Sequence, residues 1–183
     1  MRFLRYVASA AVFAACAFIA DDACAAENVK RIGIAGGFAG VAGSEGNFSG
    51  YGGAVLGSHA LTDAWALAGN VTATSNKIVA NGGRSHVLSE AVGLNYSLDV
   101  LQIVPYFGFY AAVYEIGGGG AKSQVKLGMQ LALGLDYILT REWIVGIDLR
   151  AHALPADFAR SPEDPTPFYA TTFVTAEYAW GWF

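Results

Sequence analysis

The sequence predicts an all-β fold, an eight-stranded antiparallel up-and-down transmembrane β-barrel. Three observations predict it. Of 183 residues, 54% are hydrophobic and only 14% are charged, against about 25% charged in ordinary soluble domains. Beyond the first segment no apolar run approaches the roughly 20 residues of a membrane-spanning helix. The apolar residues fall instead at every second position, in segments whose connectors alternate between short and long. This pattern excludes a disordered chain, a coiled coil and a helical membrane bundle. A net charge of −4 without a basic stripe argues against nucleic-acid binding.

The first 25 residues read as an address. Arg2 and Arg5 give a positive start, Val7 to Ala20 an apolar core too short for a spanning helix, and Ala23-Cys24-Ala25 a small-x-small cleavage site. The domain reading is therefore a signal peptide over 1–25 and a barrel over 26–183. A lipoprotein modified at Cys16 and a retained helical anchor are the rival readings. The first meets a poor acceptor site in Phe13-Ala14-Ala15, the second an apolar run cut short by Asp21 and Asp22. Both cysteines lie in this leader, so the mature chain uses no disulfide and no thiol chemistry.

The strands follow in order. Asn28 to Gly40 sets Ile32, Ile34 and Phe38 on one side; Phe48 to Ala60 is Gly-rich and its facing stays open. Trp65 to Thr74 sets Trp65, Leu67 and Val71 against Ala66, Ala68, Asn70, Thr72 and Thr74. His86 to Leu98 sets Leu88, Val92, Leu94, Tyr96 and Leu98 against Ser89, Gly93, Asn95 and Ser97. Ile103 to Ile116 is aromatic, with Pro105 near its start where proline is tolerated.

Val125 to Tyr137 alternates most strictly: Val125, Leu127, Met129, Leu131, Leu133, Leu135 and Tyr137 oppose Lys126, Gly128, Gln130, Ala132, Gly134 and Asp136. After the turn Thr140-Arg141-Glu142, Trp143, Val145, Ile147 and Leu149 oppose Gly146, Asp148, Arg150 and His152. Pairing Leu139 with Trp143 matches like faces along that hairpin. Phe168 to Phe183 closes the chain, with Val174, Ala176, Tyr178, Trp180 and Trp182 on one face. Short turns at 61–64, 99–102 and 140–142 alternate with longer connectors at 41–47, 75–85, 117–124 and 155–167.

The composition of the two faces decides the class. The face opposite the large apolar residues is mostly Gly, Ala, Ser and Thr with a few charges, which suits the narrow interior of an eight-stranded barrel. The Leu/Val/Ile face then meets lipid, and closure pairs every backbone group in hydrocarbon. Trp65, Trp143, Trp180 and Trp182 all fall at the short-turn end, where indole rings favour a membrane interface.

On these residues the chain resembles the OmpA/OmpX-type small outer-membrane barrels. Leu133-Gly134-Leu135-Asp136-Tyr137-Ile138-Leu139-Thr140-Arg141-Glu142-Trp143 is similar to their penultimate hairpin, and Val104-Pro105-Tyr106-Phe107-Gly108 to their central strand. Phe183 resembles the family's terminal aromatic assembly signal, although it is out of phase with the even-numbered outward face before it. The resemblance implies a Gram-negative outer-membrane location, contact with lipid and lipopolysaccharide, and insertion by the barrel-assembly machinery through the last strand. It also implies a surface partner for the long loops.

Lys126, Gln130, Asp136, Asp148, Arg150, His152 and Glu177 project inward in this reading, with Arg150 one strand from Asp136 and from Glu177. Buried charges must pair. The sequence therefore predicts a satisfied polar plug and a structural, surface-interaction role without catalysis or cofactor. A narrow gated pore is the alternative, and a lipid A-modifying enzyme a more distant one. For the enzyme, Ser85-His86 with Ser89 and Glu90 is the nearest mimic of a Ser–His–acid set, but adjacent Ser85 and His86 point to opposite faces. Glu90 and Glu115 interrupt apolar faces toward the long-connector end. A soluble lipocalin-like carrier is the outsider.

Overall fold

The computed structural model describes residues 28–43, 46–77, 84–98, 102–118, 121–153 and 168–181. The leader, the 155–167 connector, Trp182 and Phe183 lie outside the described residues. Eight strands follow one another: β1 Lys30–Gly43, β2 Gly46–Ala60, β3 Trp65–Lys77, β4 Arg84–Ser97, β5 Ile103–Gly118, β6 Ala121–Ile138, β7 Trp143–Ala153 and β8 Phe168–Trp180. Each pairs antiparallel with its sequence neighbour, and β1 pairs with β8, so the sheet closes into a barrel without a free edge strand.

Alternation along every strand sorts side chains into a lumen set and an outer set. Ile34 (68% exposed), Phe38, Leu127 (69%), Leu133 (60%), Ile147 and Val174 stand outward. Asp148 (1%), Arg150 (4%), Gln130 and Thr171 are buried inside. The facing of β2, open in the sequence, is fixed by its ladders: Tyr51 and Val55 point out, Ala54 and Leu56 in.

The β6–β7 hairpin has the register the faces demand. Leu133 opposes Leu149, Gly134 opposes Asp148, and the Leu139 amide donates to the Trp143 carbonyl at 3.0 Å. Two of the short turns are built alike, from Thr62-Asp63-Ala64-Trp65 and Thr140-Arg141-Glu142-Trp143. The Thr62 hydroxyl oxygen accepts from the Ala64 and Trp65 amides at 3.3 and 3.0 Å, and Thr140 accepts from Glu142 and Trp143 at 3.2 and 3.1 Å. A threonine at the turn start caps the amides that the ladder leaves over.

The structure corrects the strand ends. The connectors expected at 41–47 and 117–124 are largely strand: β1 and β2 run to the pair Gly43–Gly46, and β5 and β6 to Gly118–Ala121, past a register shift between Ile116 and Gly118. Polar, Gly-rich composition reads as loop, but a paired hairpin beyond the apolar belt can be polar on both faces. The last strand stops at Trp180 rather than Phe183. Gly181 takes φ 92°, a left-handed conformation that ends the alternation.

Glu90 sits lower than the sequence suggested. It is outward on β4, level in the ladder with Val71 and Val113 and only about six residues from Tyr96 at the short-turn end.

Candidate functional site: the barrel lumen

The lower lumen, toward the short turns, is built on β5, β6 and β7. Asp148 is its hub. Arg150, two residues along the same strand, donates to it through Nε at 2.9 Å and Nη2 at 2.7 Å, a fork-like pairing. The Tyr106 hydroxyl donates to the same carboxylate at 2.8 Å. Tyr106 reaches there because Gly134 lies beneath it: a methyl at Gly134 would run into the Tyr106 ring. Arg150 Nη1 also donates to Gln130 Oε1 at 3.4 Å, and its guanidinium lies 5.1 Å over the Tyr110 ring. Asn70 Nδ2 donates to Gln130 Oε1 at 3.3 Å, Thr72 donates to Asn70, and the Tyr110 hydroxyl donates to Asn95.

Below this set Asp136 pairs with Arg31 of β1 at 3.0 Å. A cavity of about 150 Å³ opens here toward the short turns, with Arg31, Tyr106, Asp136, Asp148, Arg150 and Glu177 in its wall. Glu177 makes no hydrogen bond or ion pair among the described residues and lines the cavity wall.

The upper lumen is aromatic. His152 stands between two tyrosines: Nδ1 meets the Tyr114 hydroxyl at 3.0 Å, Nε2 meets Thr171 Oγ1 at 3.3 Å, and the Tyr169 ring lies 4.4 Å away between centroids. Tyr169 and Thr74 share a hydrogen bond of 2.7 Å. Tyr114 and Tyr169 are buried, and their rings pack with His152 in the section above the cavity. Ser89 Oγ, Asn76 Oδ1 and Gln130 Nε2 are buried in this packing without a protein partner.

The residues singled out from the sequence are thus placed as follows. Gln130, Asp148, Arg150 and His152 lie in the packed interior, and Asp136 and Glu177 in the cavity wall. Lys126 faces inward higher up, opposite Tyr114 in the ladder. The pairing differs from the neighbouring-strand arrangement expected for Arg150. Its carboxylate partner is Asp148, while Asp136 turns to Arg31. Trp65, Trp143 and Trp180 stand at the short-turn end, with Trp65 against Tyr96 (5.0 Å) and Trp143 against Tyr178 (5.4 Å). Trp182 and Phe183 are outside the described residues.

Sequence reasoning missed Arg31 and the tyrosines. A signal for the latter was present: on β5 the phenols Tyr106, Tyr110 and Tyr114 share one parity, and the hydrocarbon rings Phe107 and Phe109 share the other. A buried hydroxyl needs a partner, and only the interior offers one. For Ser–His chemistry the lumen offers little. Ser85 and Ser89 face in while His86 and Glu90 face out, and the Ser85 hydroxyl is spent on the Gly117 carbonyl at 3.3 Å. Among the described residues no cluster of His, Cys, Asp and Glu has the arrangement of a metal site.

No protein-family model matches the sequence. No curated protein matches it either. Solved structures do. Neisserial surface protein A superposes with a TM-score of 0.68 at 14% identity, over 83% of this chain and 99% of that one. The attachment invasion locus protein Ail of Yersinia pestis, solved with the heparin analogue sucrose octasulfate, gives 0.62 at 13% identity, over 84% and 99%. The outer membrane protein OprG of Pseudomonas aeruginosa gives 0.54 at 12% identity, over 85% and 99%. The chain has the fold of the small eight-stranded outer-membrane barrels.

Proposed function

We propose that this chain is an integral protein of a Gram-negative outer membrane with a sealed lumen, that it acts without catalysis, and that its role is structural and interactive at the cell surface. The inside-out distribution of side chains carries the reading. Large apolar residues ring the outside of a closed sheet while Asp148 and Arg150 are buried within it. A soluble carrier would reverse that order. Its fold mates are surface and outer-membrane proteins, which favours the same location.

The ring-packed section of Tyr114, His152 and Tyr169 argues for a barrel that does not conduct. Two measurements test this. Unboiled protein should migrate differently from boiled protein on a gel and co-sediment with outer membrane. Refolded protein in a planar bilayer should give no steps of current. Current in the wild type that Tyr114→Ala enlarges would replace the sealed barrel by the narrow pore. Loss of an acyl chain from lipid A incubated with the protein would replace it by an enzyme.

A further inference from the structure

One charged side chain stands on the lipid face in the middle of the apolar belt. Glu90 is outward on β4, about six residues from Tyr96 in the aromatic ring. A tilted strand climbs roughly 2.5 Å per residue along the membrane normal, which puts Glu90 about 15 Å above that ring, inside an apolar band about 25 Å tall. Glutamate lacks the long stem with which lysine and arginine reach the edge of such a band.

Its surroundings offer it no partner. Val71 and Val113 stand directly across from it, and Gly69, Ala73 and Ala111 on three of its diagonals. On the fourth diagonal Glu115 already accepts from Ser123 at 2.7 Å. Glu90 makes no hydrogen bond or ion pair among the described residues. A polar group on a lipid-facing wall is costly unless something satisfies it. Its small neighbours leave the carboxyl standing proud of the wall and let a second wall come close.

The complement must therefore come from outside the barrel, and the membrane limits what it can be. Two copies inserted in one membrane share direction and height, so a two-fold axis along the normal sets each residue on it against its own copy. The described outward lysines and arginine of a copy stand at the ends: Lys30 is level in the ladder with Trp180, and Lys77 and Arg84 lie about twelve residues from Trp65 and Tyr96. None of them meets Glu90 at mid-belt. Glu90 itself does, and a protonated carboxyl is self-complementary, because it donates one O–H and accepts another.

We propose that the β3–β5 wall is a homodimer interface, closed by Glu90 of one copy against Glu90 of the other on a two-fold axis. This rests on the outer-membrane reading above and goes beyond it by giving the barrel a partner within the membrane, a second copy of itself.

Pulsed electron resonance distances between copies test it, on protein refolded into lipid vesicles in a background lacking Cys16 and Cys24. One spin label per chain goes at Leu127 on β6, beside the proposed interface, or at Val174 on β8, across the barrel; both positions are outward. Leu127 should give an inter-copy distance much shorter than Val174. Glu90→Leu should weaken association about tenfold, the worth of one polar pair in lipid, and Glu90→Gln, whose amide also pairs with itself, should keep it. Raising the pH should part the wild-type copies, where two carboxylates repel, and leave those of Glu90→Gln together.

Heat-modifiability and co-sedimentation with the vesicles report the inserted barrel separately, so failure of the outer-membrane reading is distinguishable from failure of the interface. An inserted barrel without inter-copy distances would overturn the interface. So would undiminished association in Glu90→Leu, or a wild-type dimer indifferent to pH. A photo-reactive group at Val113 that captures a different protein in intact outer membranes, and never a second copy, would overturn it too.

Discussion

The two halves of the lumen solve the same problem by different chemistry. Below, toward the short turns, the interior is ionic: Asp148–Arg150 and Arg31–Asp136 sit around a cavity that reaches the short-turn end. Above, it is aromatic, with His152 between Tyr114 and Tyr169 and backed by Thr171. The difference shows where charge can be tolerated in so narrow a barrel. Ion pairs stand where water reaches or where a phenol and an amide complete the shell. Rings seal the section that water must not cross.

Three substitutions sharpen that contrast, in falling order of effect. Asp148→Ala strips Arg150 of both strong bonds inside a packed wall. It should cost about 3–5 kcal/mol, the usual penalty for orphaning a buried charge, read as a lowered urea midpoint in lipid vesicles. Tyr114→Phe keeps the ring and its packing but leaves His152 Nδ1 without its partner. A loss of about 1–2 kcal/mol is expected by the same unfolding assay. Arg31→Gln acts in the cavity wall, where Arg31 is 22% exposed although Asp136 is only 6% exposed, and the glutamine amide keeps a donor for that carboxylate. It should cost no more than about 1 kcal/mol. If Arg31→Gln proved the most damaging of the three, the Arg31–Asp136 pair would carry more of the lumen's stability than the packed Asp148–Arg150 pair, and the account would be reversed.

Much of this architecture could be read from the chain because period-two alternation fixes both strand and face. Val125 to Tyr137 states its register with Trp143 to His152 almost residue by residue. Long-range pairing inside the lumen was harder. Asp136 lies five strands along the sequence from Arg31, yet the closure of the barrel between β8 and β1 brings them to 3.0 Å. No local pattern carries that distance.

Arg150 takes Asp148, two residues away on its own strand face, while Asp136 is taken by Arg31 from across the closure. Tyr106 reaches Asp148 only because Gly134 is flat beneath its ring. The strand ends failed for another reason: Gly-rich, polar segments such as 117–124 look like turns whether or not a neighbour pairs with them. The facing of β2 was unreadable because Gly50, Gly52, Gly53 and Gly57 leave too few side chains to show a period.

Spin labels placed singly at Leu131, Leu133 and Ile147, in a background lacking Cys16 and Cys24, test the inside-out assignment most directly. A further label at Ser58, in the cavity wall, gives the contrast. In lipid vesicles the first three should collide with dissolved oxygen and escape a water-soluble nickel chelate, while Ser58 should meet the chelate. Nickel access at Leu131 and Leu133 with oxygen access at Ser58 would contradict the assignment.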